Sequence, residues 1–98
     1  MKTITIVFSK DMRSVTVSQT IRADELKDTI DQFNAHMKLD FTHVHQMNSA
    51  DISMLLTFHK QTIAAGGALS IFNVQDKIYE IFGNAALVDL LQVTRGIA

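Results

Sequence analysis

The sequence predicts an α/β fold, a mixed β-sheet of four to five strands with about four helices, formed as a single domain over residues 1–98. Two patterns predict it. Near the start of the chain, apolar and polar residues alternate at the period of a half-buried strand, and segments of strand type and helix type then follow one another. A chain of 98 residues suffices for one compact domain with one thin core.

The first predicted elements are two antiparallel strands. Thr3–Phe8 (TITIVF) alternates strictly, and Ser14–Thr20 repeats the alternation. The intervening Ser9–Arg13 is mostly polar and has the length of a hairpin connection. An exposed first strand could pair edge to edge with a second copy, so the expected state is a monomer or a weak homodimer.

A first helix is predicted after this hairpin, because apolar residues then recur at i, i+4, i+7 and i+11. They are Leu26, Ile30, Phe33 and Met37. Met37–Phe41 is also a short apolar run of strand type, with Leu39 as its surest buried residue.

A second helix is predicted from Ala50 to Ala65, and Gly66-Gly67 would end it. Its predicted core face consists of Ile52, Leu55, Leu56, His59 and Ile63. Roughly opposite, Met54, Phe58 and Gln61 fall at i, i+4 and i+7. Such a stripe either forms an exposed docking patch or is covered by a later helix, and both interpretations stand at this point.

The rest of the chain predicts one more strand and two more helices. The strand is Ala68–Val74, the third helix carries Ile78–Phe82 and ends at Gly83-Asn84, and a short fourth helix covers Leu87–Leu91. The tail Thr94–Ala98 is expected to fray.

Composition argues against several classes of protein. Nine basic and ten acidic residues give a net charge of −1, which is unlike a nucleic-acid-binding module. With no cysteine, the chain forms no disulfide and has no thiolate metal ligand or cysteine nucleophile. No segment reaches the ~18–20 uninterrupted apolar residues of a membrane span, and the start of the chain lacks the pattern of a signal peptide. The expected compartment is the cytoplasm.

The sequence carries no catalytic motif: G-x-S-x-G, the Walker loop and the dinucleotide fingerprint do not occur. We therefore expect no enzymatic activity and no cofactor. His43 and His45 form an H-x-H pair with His36 nearby, but zinc needs three or four ligands. Two solvent-facing histidines beside a loop are the favoured interpretation, and His59 is taken as a residue at the edge of the core.

Asn48-Ser49 directly precedes the second predicted helix. Either side chain could cap the helix by accepting from backbone amides in its first turn. Phosphorylation of the serine is the alternative interpretation. A phosphate would add a charge of roughly −1.5 to −2 at the helix N-terminus, where backbone amides tolerate negative charge. A partner docked at this position would instead meet a strongly hydrated anion.

Four segments together resemble the STAS domain of bacterial anti-sigma factor antagonists. They are LDF at 39–41, NSADISMLLTFHK at 48–60, AAGGALSIFNV at 64–74 and KIYEIFGNAAL at 77–87. The first two are similar to the family's strand LDL and its motif DSSGLGVLLALHK. The resemblance covers nearly the whole chain and is most specific from 39 to 74.

The resemblance implies a partner-switching regulator. In that family, the serine after the motif's aspartate is phosphorylated by a partner that is both an anti-sigma factor and a serine kinase of the histidine-kinase-like ATPase type. The unphosphorylated antagonist binds this kinase and releases the sigma factor, and a serine phosphatase resets the cycle. The matching phosphoacceptor here is Ser49, and the expected partner-binding residues are Asn48, Asp51, Met54 and Phe58.

This chain departs from the motif at three positions: Asn48 replaces the aspartate, Ala50 the second hydroxyl residue and Asp51 the glycine. The carboxylate of Asp51 should oppose an incoming nucleotide phosphate and a phosphoserine product. An alternative function is therefore a constitutive subunit of an ABC-type lipid transport complex, with Asn48 and Asp51 as interface residues. Direct binding of a nucleotide or other small ligand is a weaker alternative that no motif supports.

Overall fold

The computed structural model describes residues 3–17, 20–26 and 34–96. Five strands form one mixed sheet in the order β3-β2-β1-β4-β5. The strands are β1 Thr3–Phe8, β2 Ser14–Thr16, β3 Thr20–Arg22, β4 His36–Asp40 and β5 Ala68–Phe72; the helices are α1 Ser49–Ala64, α2 Asp76–Asn84 and a 3-10 helix at Ala23–Glu25. Within these ranges, no helix combines the length and the apolar character needed to cross a membrane.

β1 occupies the middle of the sheet, antiparallel to β2 and parallel to β4. Its alternation turns Ile6 and Phe8 into the core, and both are fully buried. The predicted strand Thr3–Phe8 is therefore confirmed. The expectation that the first strand lies exposed at an edge is wrong, because β4 pairs along it from Thr3 to Val7.

The second predicted strand is divided into two. β2 and β3 pair with each other antiparallel, with Val15 opposite Ile21, so the chain reverses direction within the predicted Ser14–Thr20. Alternation over so few residues is compatible with one continuous strand or with two short strands, so the pattern alone did not distinguish between them.

The predicted first helix is described only at its start, by the 3-10 helix and by Leu26, which is buried. Ile30 and Phe33 lie outside the described residues. Met37 belongs to β4, opposite Ile4 of β1, so its assignment to a helix face is wrong. A single apolar residue in an alternating strand can fall at i+11 from a preceding helical pattern by chance, so its spacing alone does not assign it to the helix.

The core lies between one face of the sheet and the two α-helices. Phe41, directly after β4, is fully buried, with its ring centroid 5.1 Å from that of Phe8 and 6.0 Å from that of Phe82. These distances are typical of favourable tilted aromatic pairs. The aromatic cluster therefore ties β1, the end of β4 and α2 together.

Both α-helices end in a Schellman motif. After α1, Gly67 N donates to Thr62 O (2.9 Å), Gly66 N donates to Ile63 O (3.0 Å), and Gly66 has φ +84°. The predicted role of Gly66-Gly67 is confirmed. After α2 the same bonds form, with Ala86 (φ 57°) as the left-handed residue, and the helix ends at Asn84, so the predicted end at Gly83-Asn84 is confirmed.

The fourth predicted helix is wrong. Residues 88–92 form consecutive turns, and Val93 then makes a parallel bridge to Ile71 of β5. Thr94 and Gly96 hydrogen-bond to the same edge, so the expected fraying is also wrong for 94–96; residues 97–98 lie outside the described part. The described residues hold two α-helices and one 3-10 helix. Of the four predicted helices, the first lies mostly outside the described residues, and the fourth is replaced by turns and a bridge at the sheet edge.

Candidate functional site

The N-terminus of α1 is closed by a capping box. The Asn48 side-chain oxygen Oδ1 accepts from the backbone N–H of Asp51 at 2.9 Å, and Asp51 Oδ2 accepts from the backbone N–H of Asn48 at 2.9 Å. Two backbone donors that a helix N-terminus leaves without intrahelical partners are thereby satisfied. The departures from the family motif at these two positions therefore form one structural unit.

Ser49 is the first residue of α1 and is exposed, as is Ala50 after it. Because Asn48 provides the cap, the hydroxyl of Ser49 is not needed for it. A negative group on Ser49 would sit at the positive end of the helix dipole. It would also lie two residues from the carboxylate of Asp51, which already accepts a bond at this helix end.

Two adjoining hollows lie beside the first turns of α1. The smaller, about 290 Å³, is mainly apolar; its lining consists of Phe8, Ala23, Leu26, Ala50, Ser53, Met54, Leu55, Thr57 and Phe58. The larger, about 700 Å³, is lined by Met12, Arg13, Ser14, Arg22, Ala23, Ala50, Asp51 and Met54. We call the larger hollow the arginine groove, because Arg13 and Arg22 are among its lining residues.

The tight turn between β1 and β2 positions Arg13. Asp11 Oδ1 accepts from the backbone N–H of Arg13 (3.1 Å) and from the hydroxyl of Ser9 (3.1 Å), and the backbone bond is the main cause that holds the pKa of Asp11 below its usual range. Arg13 Nε lies 3.5 Å from Asp11 Oδ2, and its side chain is largely exposed. The same turn contacts the loop before α1, because Lys10 O accepts from the backbone N–H of His45 at 2.8 Å.

The exposed stripe predicted on α1 is wrong for Phe58. Its side chain is 2% exposed and lies in the core with Leu55 and Thr62, whereas Ile63, assigned to the core, is 50% exposed. Met54 is half-buried and lines both hollows. The rest of the predicted core face holds in part, since Leu55 is fully buried and Ile52 and Leu56 pack against the core. Apolar residues surround most of α1, so the sequence pattern defined two overlapping faces and the buried face combines residues of both.

The histidines are spread over different elements. His43 and His45 are exposed and follow β4 in turn and irregular structure, not on a strand. His36 in β4 places Nε2 2.9 Å from the hydroxyl oxygen of Ser70 in β5. In the part of the chain that the structure describes, no three His, Cys, Asp or Glu side chains form a group that could hold a metal ion.

The family assignment comes from a comparison with protein-family models. The model of the STAS domain matches residues 9–98, which is nearly the entire sequence. The chain belongs to the STAS domain family. A search of curated proteins and a search of solved structures found no match.

The match to the STAS domain includes the turn with Arg13, the arginine groove and the capping box, and it includes the lining of the smaller hollow except Phe8. Sequence reasoning found Asn48, Ser49 and Asp51 because a helix start is a local signal. It missed Arg13, in the turn between β1 and β2, and Arg22, the last residue of β3, which both line the hollow beside the start of α1. Neither residue carries a local signal for that placement.

Replacing Asn48 by alanine should lower the free energy of unfolding by about 1 kcal/mol, since the cap on Asp51 N is lost. Urea denaturation of Asn48→Ala measures it. Asn48→Asp, which keeps a capping oxygen, is the matched control and should lose less. Equal stability of Asn48→Ala and the wild-type chain would contradict the role of the capping box.

Proposed function

We propose that this STAS domain is a non-enzymatic component of a cytoplasmic partner-switching system. In its unphosphorylated form it binds a serine kinase that is also an anti-sigma factor, of the histidine-kinase-like ATPase type. Phosphorylation of Ser49 ends that binding, and a serine phosphatase restores it. Membership in the STAS family supports a regulatory role of the anti-sigma factor antagonist kind or a related one.

The observation that carries the proposal is the division of roles between Asn48 and Ser49. Asn48 caps α1, and Ser49 is exposed one residue later, so its hydroxyl is available to a kinase without loss of the cap. An added phosphate would gain from the helix dipole inside the chain, and the helix need not unwind. A partner lying against this surface would instead have to desolvate a doubly charged group.

The two arginines of the arginine groove support the same site. Arg13 and Arg22 line a hollow together with Ala50 and Asp51, the residues that follow Ser49. Guanidinium groups form strong bidentate contacts with carboxylates and phosphates. They supply positive charge beside a helix end that already holds the carboxylate of Asp51, and so reduce the repulsion that Asp51 would exert on a phosphate.

The proposal is tested by mapping phosphorylation and capture in the native cell. Tagged wild-type protein and Ser49→Ala are purified, their phosphopeptides are located by mass spectrometry, and bound proteins are identified. We expect phosphate on Ser49 in the wild-type chain and none elsewhere on α1 in Ser49→Ala. Both chains should capture a kinase of the stated type, because alanine preserves the uncharged surface.

Two outcomes would contradict the proposal. One is a wild-type chain without phosphate under every growth condition that is tried. The other is capture of an ABC-type transport ATPase by both chains and by the charged variant Ser49→Asp. That second outcome would favour the constitutive transport subunit, with Asn48 and Asp51 as interface residues.

A further inference from the structure

The segment after α2, residues 87–96, lies along the outer edge of β5, and we call it the strap. Val93 of the strap forms a parallel bridge with Ile71. The backbone hydrogen bonds are Ile71 N to Gln92 O (3.1 Å), Thr94 N to Ile71 O (2.9 Å), Asn73 N to Gly96 O (3.0 Å) and Val74 N to Thr94 O (3.3 Å). Without the strap, β5 would present an unpaired edge, which is a template for another strand.

The strap is also held by side chains. Leu87, Leu91 and Val93 are all buried in the core. Arg95 adds a contact with α2, since its Nη1 lies 3.3 Å from Asp76 Oδ1 and its guanidinium carbon lies 5.1 Å from the ring centroid of Tyr79. A chain whose strap has detached therefore exposes both apolar side chains and strand backbone, and it gains by covering them with another strap.

Two of the four non-glycine residues with positive φ in the described part of the chain lie at the hinge of the strap or within it. Ala86, which joins α2 to the strap, has φ 57°, and Gln92 within the strap has φ 52°. This left-handed region is unfavourable for a residue with a Cβ atom, and the corresponding residue after α1 is a glycine. The strain is present only while the chain turns back on itself, and short strained hinges favour exchange of segments between chains.

We infer that two copies of this chain exchange their straps. In the resulting symmetric dimer, the strap of each copy covers the β5 edge of the other, and Ala86 adopts an extended conformation. A second copy is the occupant that fits, because it brings the same strap sequence and remakes the contacts of the strap with β5. Only the two backbone bonds at the end of α2 that depend on left-handed Ala86 are lost, from Ala86 N to Gly83 O and from Leu87 N to Phe82 O. The inference goes beyond the proposed function, since the strap contains none of the residues at the start of α1.

The absence of cysteine from the sequence allows a direct test. Asp76 and Arg95 are in contact and exposed, so Asp76→Cys and Arg95→Cys are made as two separate variants. They are mixed at high concentration, warmed to allow exchange and then oxidised. Strap exchange predicts a disulfide-linked heterodimer of the two variants. A mixture of Arg95→Cys with Thr57→Cys, whose residue is exposed on α1, is the control and should give none.

The hinge provides two variants with opposite effects. Ala86→Gly relieves strain in the closed monomer and should raise the dissociation constant of the dimer by about tenfold or more, because each dimer has two hinges. Deletion of Ala85 and Ala86 leaves too short a connection for the strap to turn back, and should give a dimer at all concentrations. Analytical ultracentrifugation measures both.

Three results would overturn the inference. They are no heterodimer from Asp76→Cys with Arg95→Cys, an equal yield from the control mixture, or a dissociation constant that Ala86→Gly leaves unchanged. If the shortened chain fails to fold, the disulfide experiment still decides, because its variants keep the natural hinge.

Discussion

Ser49→Asp is expected to weaken binding of the kinase partner by about a hundredfold or more, which corresponds to about 2.7 kcal/mol. The substitution places a carboxylate on an exposed first residue of α1, two residues before the carboxylate of Asp51. Within the chain, the helix dipole favours this charge by about 0.3–1 kcal/mol, so the fold should persist. Across an interface, by contrast, an unmatched charge costs several kcal/mol.

The measurement is a titration of the captured kinase with wild-type protein and variants, together with a thermal unfolding curve for each. Ser49→Ala is the first control and should bind nearly as well as the wild-type chain. Asn84→Asp is the second, because it adds the same single charge at an exposed position at the end of α2. Wild-type affinity of Ser49→Asp, with its fold intact, would exclude Ser49 as a charge-operated switch.

Local signals in the sequence predict much of this fold. β1 is visible as alternation, and α1 is bounded by a polar cap at Asn48 and by a glycine stop at Gly66. Each signal lies within a few residues of the element that it defines. The strap behaves differently, since its residues pair with β5 because an edge is available there and not because of any pattern of their own.

The residues of the candidate site also fall into two groups, those with a local sequence signal and those without one. Asn48, Ser49 and Asp51 act through one helix end, so spacing alone predicts their juxtaposition. The placement of Arg13 and Arg22 beside them depends on the pairing of β2 with both β1 and β3, which brings the β1–β2 turn and the end of β3 to the hollow that Ala50 and Asp51 also line. Such long-range placement is a property of the tertiary fold and has no counterpart in local periodicity.

The buried face of α1 leads to the second large effect. Phe58→Ala should lower the free energy of unfolding by about 3–5 kcal/mol, because it removes a core ring and leaves a cavity. Ile63→Ala, on the same helix, should cost less than about 1 kcal/mol, since half of that side chain is already in solvent. The free energy of unfolding of a domain is about 5–15 kcal/mol, so Phe58→Ala can remove a large part of it.

Urea denaturation of the two variants measures both free energies, and the capture assay then separates stability from binding. Because Phe58 is enclosed in the core, its replacement should reduce capture of the partner only in proportion to the fraction of chain that is unfolded. Met54→Ala is the contrasting variant, since Met54 is half-buried and lines both hollows beside Ser49. A larger loss of stability in Ile63→Ala than in Phe58→Ala would show that α1 turns the other face to the core, with Phe58 exposed for docking.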